Sequence, residues 1–320
     1  MSLDRLLVTG ASGFVGRRLI RTVTRAWPNV QVLALGHKGT VETTDRVRVA
    51  AFDLAVDDLA PTLSDFAPQA ILHLAAKASV GQTARDPAPA VDLNLIGSIR
   101  LARAMVAACP GARLILASTG EVYGRAFLDQ PVATETTPPQ PQGVYARSKA
   151  AAEWMLEELL REVCPLTICR PFNHSGPGQA PDFVLPAFAE QIAAIEANGE
   201  GVIKVGDLTA ARDFLHVDDV IEAYLGLMER APEAPVETFN IASGRPVAIQ
   251  ALLDGLLALS SAQVRVETDP DRLRPSQVLS AAGDPARLMA TTGWAPRLSL
   301  DTLLSDVLED WRARTAGRAA

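Results

Sequence analysis

A glycine triplet follows a short apolar run at the beginning of the chain. The run Leu6-Leu7-Val8-Thr9 predicts a buried strand, and Gly10, Gly13 and Gly16 form the pattern G-x-x-G-x-x-G directly after it. Glycine is required where the backbone turns sharply, where it approaches a phosphate closely and where a helix packs tightly on a strand. The helix predicted from Phe14 onward points its free N–H groups and its positive dipole end at an anion. This strand–turn–helix order predicts a site for the pyrophosphate of a dinucleotide.

Short apolar strands alternate with helices through the first half of the chain. The predicted strands are Arg5–Thr9, Val30–Leu35, Val47–Ala51, Ala70–Leu74, Arg113–Ala117 and Leu166–Arg170, and the predicted helices are Phe14–Ala26, Asp57–Phe66, Pro89–Ala108 and Val144–Val163. Runs such as Leu114-Ile115-Leu116-Ala117 lack polar alternation, as strands do in a parallel sheet that is covered on both faces. The pattern predicts an α/β fold with a doubly wound parallel Rossmann sheet and ligands at the carboxyl ends of its strands.

Proline and glycine become frequent after Arg170, and the regular alternation ends there. The second half predicts helices Ala187–Glu196, Val217–Glu229, Ile249–Leu259 and Leu300–Arg314, strands Val202–Val205, Thr238–Ile241 and Val264–Glu267, and a frayed tail Thr315–Ala320. We expect residues 1–170 to form the NAD(P)-binding domain, with later returns from about 213–241. We expect residues 171–320 to form mainly a smaller α/β lobe that binds substrate.

Composition argues against several classes of protein. The net charge is −7 and there is no long run of Lys or Arg, which argues against a nucleic-acid surface. Cys109, Cys164 and Cys169 lack metal-site spacing and are expected to be reduced thiols, and the four histidines form no ligand motif, so no metal site is predicted. The sequence shows neither a signal peptide nor an apolar run of about 20 residues that would span a membrane. We therefore expect a cytoplasmic location.

The ends of the next three strands supply further candidates for cofactor contacts. No acidic residue follows the second strand to hold the adenosine ribose of NAD(H), whereas Lys38 is available to a 2′-phosphate, which favours NADP(H); the same lysine also fits a solvated loop. Asp53, before Leu54, can accept a hydrogen bond from the adenine amino group or cap a helix. The small residues in Leu74-Ala75-Ala76 leave room for a ribose. Asn94, a poor helix former, fits either a functional hydrogen bond to the backbone or a tolerated polar position.

Tyr145 and Lys149 lie four residues apart in a predicted helix, so their side chains share one face. The pKa of a free tyrosine is about 10, and an ammonium group one turn away favours the phenolate and lowers that pKa toward neutral. The pair also fits a solvated helix surface. Ser118 and Thr119 follow the fifth strand at the same edge of the sheet, which favours the catalytic interpretation. We expect Thr119 to orient a substrate oxygen, with Ser118 as the alternative.

These motifs together resemble the extended short-chain dehydrogenase/reductases of the nucleotide-sugar branch, over essentially the whole chain. Three blocks of the second half resemble the GDP-4-keto-6-deoxy-D-mannose reductases in particular. They are Arg170–Gln179 with Pro181–Val184, Ile203–Leu208 running into Ala211–Phe214, and Asp269–Pro275 ahead of Gly283–Pro285. The GDP-mannose 4,6-dehydratases share the last two blocks in looser form, and their equivalent of His174–Gln179 reads differently.

The resemblance implies roles for particular residues of this sequence. The implied catalytic residues are Thr119, Glu121, Tyr145 and Lys149. The implied cofactor contacts are Gly10, Ser12, Gly13, Phe14, Val15, Gly16, Lys38, Asp53, Leu54, Leu74, Ala75, Ala76, Lys149 and Phe172. The implied substrate contacts are Asn173, Val184, Lys204, Arg212 and Arg274. Arginine suits a diphosphate because it is a permanently charged, bidentate donor, although both arginines also fit surface ion pairs.

The activity implied by the resemblance is NAD(P)H-dependent reduction of the 4-keto group of a nucleotide-linked 4-keto-6-deoxy sugar, with GDP-4-keto-6-deoxy-D-mannose giving GDP-D-rhamnose. Dehydratases of this superfamily carry polar or acidic residues at the positions of Gly120 and Glu121. Gly120 therefore favours a reductase, whereas Glu121 keeps GDP-mannose 4,6-dehydration open. A nucleotide-sugar 4-epimerase and a redox-inert dinucleotide sensor are further alternatives. The resemblance also implies a homodimer through the helices Pro89–Ala108 and Val144–Val163, although Ala-rich helices pack inside single cores as well.

Overall fold

The computed structural model describes residues 3–36, 41–273 and 277–319. Its strands are β1 (Arg5–Thr9), β2 (Gln31–Gly36), β3 (Val47–Ala51), β4 (Ala70–His73), β5 (Arg113–Ala117), β6 (Val132–Ala133), β7 (Leu166–Pro171), β8 (Asn173–Ser175), β9 (Glu200–Val205), β10 (Ala211–His216), β11 (Val236–Ile241), β12 (Pro246–Ala248), β13 (Gln263–Thr268) and β14 (Ser280–Gly283). Its helices are α1 (Phe14–Ala26), α2 (Ala60–Phe66), α3 (Val80–Arg85), α4 (Ala88–Val91), α5 (Ser98–Ala108), α6 (Gly143–Leu160), α7 (Val184–Glu196), α8 (Val217–Glu229), α9 (Ile249–Ala258), α10 (Ala286–Thr292) and α11 (Leu300–Ala319). A π-helical segment, Asp92–Gly97, joins α4 to α5, and 3₁₀ helices occupy Gly120–Leu128 and Pro270–Arg272. Within the described ranges, no helix is both long enough and apolar enough to cross a membrane.

Seven strands form the central sheet in the order β11-β7-β5-β4-β1-β2-β3. Every neighbouring pair of these strands is parallel. The chain moves outward from β1 to β3 on one side and starts again at β4 on the other, so the strand order reverses between β1 and β4. Ligands of doubly wound sheets bind at the carboxyl ends of the strands beside such a reversal. The predicted α/β fold with a doubly wound parallel sheet is confirmed.

Both faces of the central sheet are covered, and its inner strands are therefore continuous apolar runs. In β1, Leu6 and Val8 belong to the core that α1 and α8 cover, whereas Leu7 belongs to the core beneath α5 and α6. Successive side chains of a strand point to opposite faces, which explains this alternation between the two cores. The packing on both faces holds the carboxyl ends of the strands in a fixed arrangement.

A smaller α/β lobe lies beside the central sheet. It contains the sheet β12-β10-β14-β6, with β8 paired to β10, and a two-stranded ribbon of β13 and β9. Helices α7, α9 and α11 pack into one apolar cluster that includes the buried Trp311. The return to the central sheet begins at α8 and continues with β11, whereas residues 211–216 form β10 in the smaller lobe. The sequence predicted that the chain would rejoin the first domain from about residue 213. In the structure it rejoins the central sheet layer from Val217.

The sequence pattern does not predict the short strands β6, β8, β10, β12 and β14, each of which has two to six residues. Such strands depend on partners distant in sequence and show no clear apolar period. The expected helix Pro89–Ala108 is divided by the π-helical segment. The expectation of a frayed tail from Thr315 is wrong for the described residues, because α11 continues to Ala319. Arg314 pairs with Asp310 at 2.7 Å, which holds this part of the helix in place.

Candidate active site

The glycine-rich turn between β1 and α1 has a geometry that only glycine permits. Gly10 has a φ of +68°, and a Cβ atom there would lie 2.6 Å from the backbone N of Ala75. A Cβ atom on Gly16 would overlap the carbonyl oxygen of Gly10, to which the N–H of Gly13 donates a hydrogen bond of 2.9 Å. Helix α1 starts at Phe14 without a side-chain cap, which leaves its first N–H groups for a phosphate. This cradle fits the pyrophosphate of a dinucleotide.

The residues predicted to contact the adenosine end of the cofactor differ in burial and in their hydrogen-bond partners. Ser12 and Val15 are half-buried in the glycine-rich turn. The Asp53 carboxylate accepts a hydrogen bond of 2.9 Å from the N–H two residues later, so it holds a turn and does not cap α2, which follows Leu59. Leu54 is buried in the core beneath α5 and α6. Lys38 lies outside the described residues. The contacts of Asp53, Leu54 and Lys38 with a cofactor remain predictions.

A buried histidine fastens the segment that follows β4. The Nδ1 of His73 lies 2.6 Å from Thr9 Oγ1, and its Nε2 lies 3.0 Å from Ser98 Oγ. Burial, assisted by the charge of Lys149, lowers the pKa of His73 to about 3, so the imidazole is neutral. Thr9 Oγ1 also accepts a hydrogen bond of 3.3 Å from the N–H of Ala75. Leu74, Ala75 and Ala76 follow β4, are half-buried and were predicted to contact a ribose. These contacts hold them against the glycine-rich turn.

Asn94 ties the π-helical segment to α6. Its Oδ1 accepts a hydrogen bond of 2.8 Å from the N–H of Lys77, and its Nδ2 donates one of 3.1 Å to Ser148 Oγ. The hydroxyl of Ser148 in turn donates to the carbonyl oxygen of Tyr145 at 2.9 Å. Of the two interpretations of Asn94, the structure shows the hydrogen bond to the backbone. This chain of contacts fixes the first turn of α6, which carries Tyr145.

Thr119 and Tyr145 come from different elements and meet beyond the carboxyl end of β5. The Thr119 hydroxyl lies close enough to the phenol to act on the pKa of Tyr145, and Thr119 Oγ1 accepts a hydrogen bond of 3.2 Å from the N–H of Glu121. Burial raises the pKa of Tyr145 to about 12, the nearby Thr119 hydroxyl opposes this rise, and the charge of Glu121 adds to it. The phenol is therefore protonated at neutral pH and can donate a proton.

Lys149 lies one turn beyond Tyr145 and is only 1% exposed. Burial lowers the pKa of Lys149 to about 8, although the negative charge of Glu153 opposes this effect. The expectation that Lys149 brings the pKa of Tyr145 toward neutral is wrong in this structure. Desolvation penalises the ammonium and the phenolate alike, and here it outweighs the attraction between them.

Glu121 and Gly120 lie at the beginning of the first 3₁₀ helix. The Glu121 side chain is exposed in the open cleft. Desolvation by the surrounding protein raises the pKa of Glu121, and the positive charge of Arg212 opposes part of this rise. A Cβ atom at Gly120 would lie 2.9 Å from the ring of Phe172. That ring is buried and stacks on Tyr123 with 6.3 Å between ring centroids. The Phe172 ring, implied to contact the cofactor, therefore packs beneath this end of the cleft.

Arg212 approaches the same cleft from β10. Its charge acts on Glu121, and its guanidinium donates a hydrogen bond of 3.2 Å to the carbonyl oxygen of Val278. The carboxylate of the adjacent Asp213 accepts hydrogen bonds of 2.8 and 2.9 Å from the backbone N–H groups of Ser243 and Gly244. Asp213 therefore holds the turn after β11, and the structure gives no support to an ion pair between it and Arg212.

Two further predicted substrate contacts begin elements of the smaller lobe. Asn173 starts β8, which pairs with β10. The next residue, His174, stacks on Phe14 with 6.4 Å between ring centroids, so β8 adjoins the glycine-rich turn. Val184 is half-buried and opens α7. The structure thus brings Asn173 close to the cofactor cradle, and the contacts of both residues with substrate remain predictions.

Lys204 lies on the two-stranded ribbon, where its ammonium forms an ion pair with Glu267 of β13. Both side chains are about half exposed, and such pairs contribute little to stability. The structure therefore explains Lys204 as the partner of Glu267 and does not bring it into the group formed by Thr119, Glu121 and Tyr145. Arg274 lies outside the described residues.

Comparison with known proteins relates the chain to enzymes of nucleotide-sugar metabolism. Residues 7–307 match a family model described as GDP-mannose 4,6 dehydratase. The chain is 34% identical to the GDP-6-deoxy-D-mannose reductase of Pseudomonas aeruginosa, over 97% of this chain and 98% of that protein. The structure of RMD from Pseudomonas aeruginosa complexed with NADPH matches with a TM-score of 0.81 and 31% identity, over 97% of this chain and 99% of that one. A UDP-glucose 4-epimerase of Thermus thermophilus in complex with NAD matches with a TM-score of 0.81 and 27% identity, over 96% and 99%.

Replacing Gly10 with alanine is expected to weaken cofactor binding at least about tenfold, because the new Cβ atom collides with the backbone after β4. Titration calorimetry with NADPH and NADH measures this effect. Gly293→Ala is the matched control, since Gly293 has a similar φ of +71° and no atom within 4 Å of the added Cβ. The control should keep normal affinity, and normal affinity in Gly10→Ala would contradict the proposed cradle.

Proposed function

The chain belongs to the GDP-mannose 4,6-dehydratase family of extended short-chain dehydrogenase/reductases, and from this premise we propose that it reduces the 4-keto group of a GDP-linked 4-keto-6-deoxy sugar with NADPH. Its relatives are nicotinamide-dependent enzymes that act on nucleotide sugars, and the chain is an NAD(P)-dependent oxidoreductase of the same type. The observation that carries the proposal is that the Thr119 hydroxyl acts on the protonated phenol of Tyr145, one helical turn from the buried Lys149, in a chain whose glycine-rich turn fits a dinucleotide. The expected reaction converts GDP-4-keto-6-deoxy-D-mannose into GDP-D-rhamnose.

The side chains at the carboxyl end of β5 supply the proton chemistry of this reduction. Tyr145 donates its phenolic proton to the C4 oxygen, while Thr119 holds that oxygen in place. Donors that are already oriented stabilise the negative charge as it develops on the oxygen. Lys149, charged below its pKa of about 8, binds the ribose of the cofactor and stabilises the phenolate that remains. The reduced nicotinamide, when bound, supplies the hydride for C4.

A 4,6-dehydratase is the second candidate, because Glu121 places a carboxylate in the cleft where its charge acts on Tyr145. Dehydration needs a base beside the carbonyl group and an acid that helps to expel the 6-hydroxyl group. Gly120 supplies no side chain for a second group, and the Phe172 ring occupies the space next to it. We therefore favour the reductase, in which Glu121 lines the cleft.

The preference for NADPH is supported by two features. The sequence has no acidic residue after β2 to bind a free adenosine ribose, and Lys38 is available to its 2′-phosphate. The relative from Pseudomonas aeruginosa was solved with NADPH, whereas the epimerase from Thermus thermophilus was solved with NAD. The likeness in sequence to the reductase also supports a GDP-sugar as substrate.

We further propose that the protein is a cytoplasmic homodimer built on α5 and α6. The outer face of α6 exposes Trp154, 53% accessible, and Met155 beside it. Ile96 and Val106 are exposed on the π-helical segment and on α5, which packs against α6. Apolar side chains on neighbouring helices form the kind of surface that is covered in homodimers. The three free cysteines support the proposed location.

Replacing Tyr145 with phenylalanine is expected to lower kcat at least about 100-fold, because the proton donor is lost. The dissociation constant of NADPH should stay within about threefold of the wild-type value, since the phenol acts on the substrate oxygen. Steady-state kinetics and fluorescence titration measure the two quantities. Tyr224→Phe, at another buried tyrosine, is the control and should remain active. A near-normal kcat for Tyr145→Phe would refute the proposed donor.

A panel of GDP-, UDP-, dTDP- and CDP-sugars, each with NADPH or NADH, should give the largest rise in melting temperature for GDP-sugars with NADPH. Ligands that bind the folded state raise the melting temperature by mass action. Mass spectrometry then separates the candidate reactions. A reductase adds two hydrogens to the 4-keto sugar and consumes NADPH, whereas a dehydratase removes water from GDP-mannose without net consumption of cofactor. Turnover of GDP-mannose alone would contradict the reductase.

Replacing Trp154 with glutamate is expected to convert the dimer into a monomer, because two charges would face each other across the helices near the symmetry axis. Light scattering coupled to size-exclusion chromatography measures the mass. Leu259→Glu, at an exposed apolar residue after α9 in the smaller lobe, is the control and should remain dimeric. A wild-type protein that is monomeric at micromolar concentration would contradict the proposed interface.

A further inference from the structure

The helix that carries Tyr145 and Lys149 also carries a buried carboxylate. Glu153 lies one turn beyond Lys149 in α6 and is 1% exposed. Its Oε2 accepts a hydrogen bond of 2.7 Å from Nη2 of Arg170, and its Oε1 accepts one of 3.2 Å from Nε. Oε1 also accepts a hydrogen bond from the hydroxyl of Ser118. Both oxygens of Glu153 are thus held by side chains that follow or belong to central strands.

The ion pair continues into a chain of hydrogen bonds beneath the cleft. Arg170 Nη1 donates to Tyr123 Oη at 3.0 Å, and that hydroxyl donates to Asn240 Oδ1 at 2.7 Å. Asn240 Nδ2 donates to the carbonyl oxygen of Ala133 at 2.9 Å. Burying an ion pair is a costly way to stabilise a fold, since apolar packing of similar volume is often as stable. The position of this pair, directly beneath the reacting groups, points to a second role.

We propose that Glu153 is a positioning residue for the reduction proposed above: it places a negative charge one helical turn beyond Lys149, and its bond to Ser118 fixes the backbone that presents Thr119. Ser118 immediately precedes Thr119, and its N–H donates a hydrogen bond of 2.7 Å to the carbonyl oxygen of Cys169. The strand end is therefore held by its backbone on one side and by Glu153 on the other. The role of Glu153 rests on the proposed function, because it acts through Lys149 and Thr119.

The charges around Lys149 decide the direction of the effect. His73 from β4 is neutral, Tyr145 on α6 is protonated at neutral pH, and the charge that favours protonated Lys149 is that of Glu153. Arg170, on β7, pairs with Glu153 at 2.7 Å. Removing the charge of Glu153 leaves burial unopposed and lowers the pKa of Lys149 further below its ordinary value. The Lys149 ammonium contributes to NADPH binding and turnover only below this pKa. Without the charge of Glu153, that contribution is therefore lost at a lower pH.

The test is the pH dependence of Glu153→Gln. In the wild type, kcat/KM for the keto sugar at saturating NADPH should fall as the pH rises through the pKa of Lys149. In the variant, this alkaline limb should move down by at least about one pH unit. The pH above which the dissociation constant of NADPH rises should move in the same direction, because Lys149 binds the ribose. Fluorescence titration measures that constant without any sugar substrate.

Glu237→Gln is the matched control for the loss of a buried ion pair. Glu237 is 4% exposed at the amino end of β11, and its carboxylate accepts hydrogen bonds of 2.8 and 2.9 Å from Arg230. Both single variants should lose stability, since each removes the buried carboxylate that binds an arginine through two hydrogen bonds. The control should keep the wild-type pH profile. A profile that shifts equally in both variants would overturn the proposal.

A double variant, Glu153→Gln with Arg170→Gln, replaces the pair by two amides and leaves no unpaired charge, so it tests the proposal if the single variant does not fold. An alkaline limb at the wild-type position in either folded variant would overturn the role of Glu153. If the wild type reduces no keto sugar while the NADPH titration still shifts in the variant, the proposed function fails, and only the effect of the Glu153 charge on Lys149 stands. If the keto sugar is reduced and neither profile shifts, the role of Glu153 fails alone.

Discussion

The desolvation of the half-buried Tyr145 and the buried Lys149 is the constraint on which the rest of the site depends. Burial raises the pKa of the phenol to about 12 and lowers the pKa of the ammonium to about 8, so both groups are pushed toward their neutral forms. A protonated phenol suits a proton donor in the direction of reduction. A lysine that must bind a ribose as a cation needs a compensating charge, and Glu153 provides it. The same loss of solvent thus determines the state of the donor and creates the need for Glu153.

The fold satisfies that constraint by building the site from several elements that are fastened to each other by buried polar contacts. Asn94 in the π-helical segment holds the first turn of α6, His73 joins β1 to β4 and α5, and Arg170 joins β7 to α6. An unpaired polar group in these positions would cost about 1–3 kcal/mol, so each contact favours one arrangement over its alternatives. The reversal of strand order between β1 and β4 places the glycine-rich turn at the same edge of the sheet.

Local patterns predicted the features that depend on neighbours in sequence. The glycine triplet, the apolar strands of the central sheet and the four-residue spacing of Tyr145 and Lys149 are local, and β1, α1, β3, β5 and α8 have the predicted bounds. The short strands of the smaller lobe were not predictable, because β10 and β14 depend on pairing between distant segments. The pKa of Tyr145 was predicted in the wrong direction, since spacing reveals a neighbouring charge but not the extent of burial. The ion pair between Glu153 and Arg170 also joins separate elements, so the sequence did not predict it. The one local indication was a Glu residue one helical turn after Lys149.

The most direct measurement of the central claim is a crystal structure of the protein with oxidised cofactor and the reduced GDP-sugar product. The account predicts that the Tyr145 and Thr119 hydroxyls both lie within about 3.2 Å of the C4 oxygen, with C4 facing the nicotinamide ring. A complex in which the C4 oxygen contacts neither hydroxyl, directly or through one water molecule, would contradict the account.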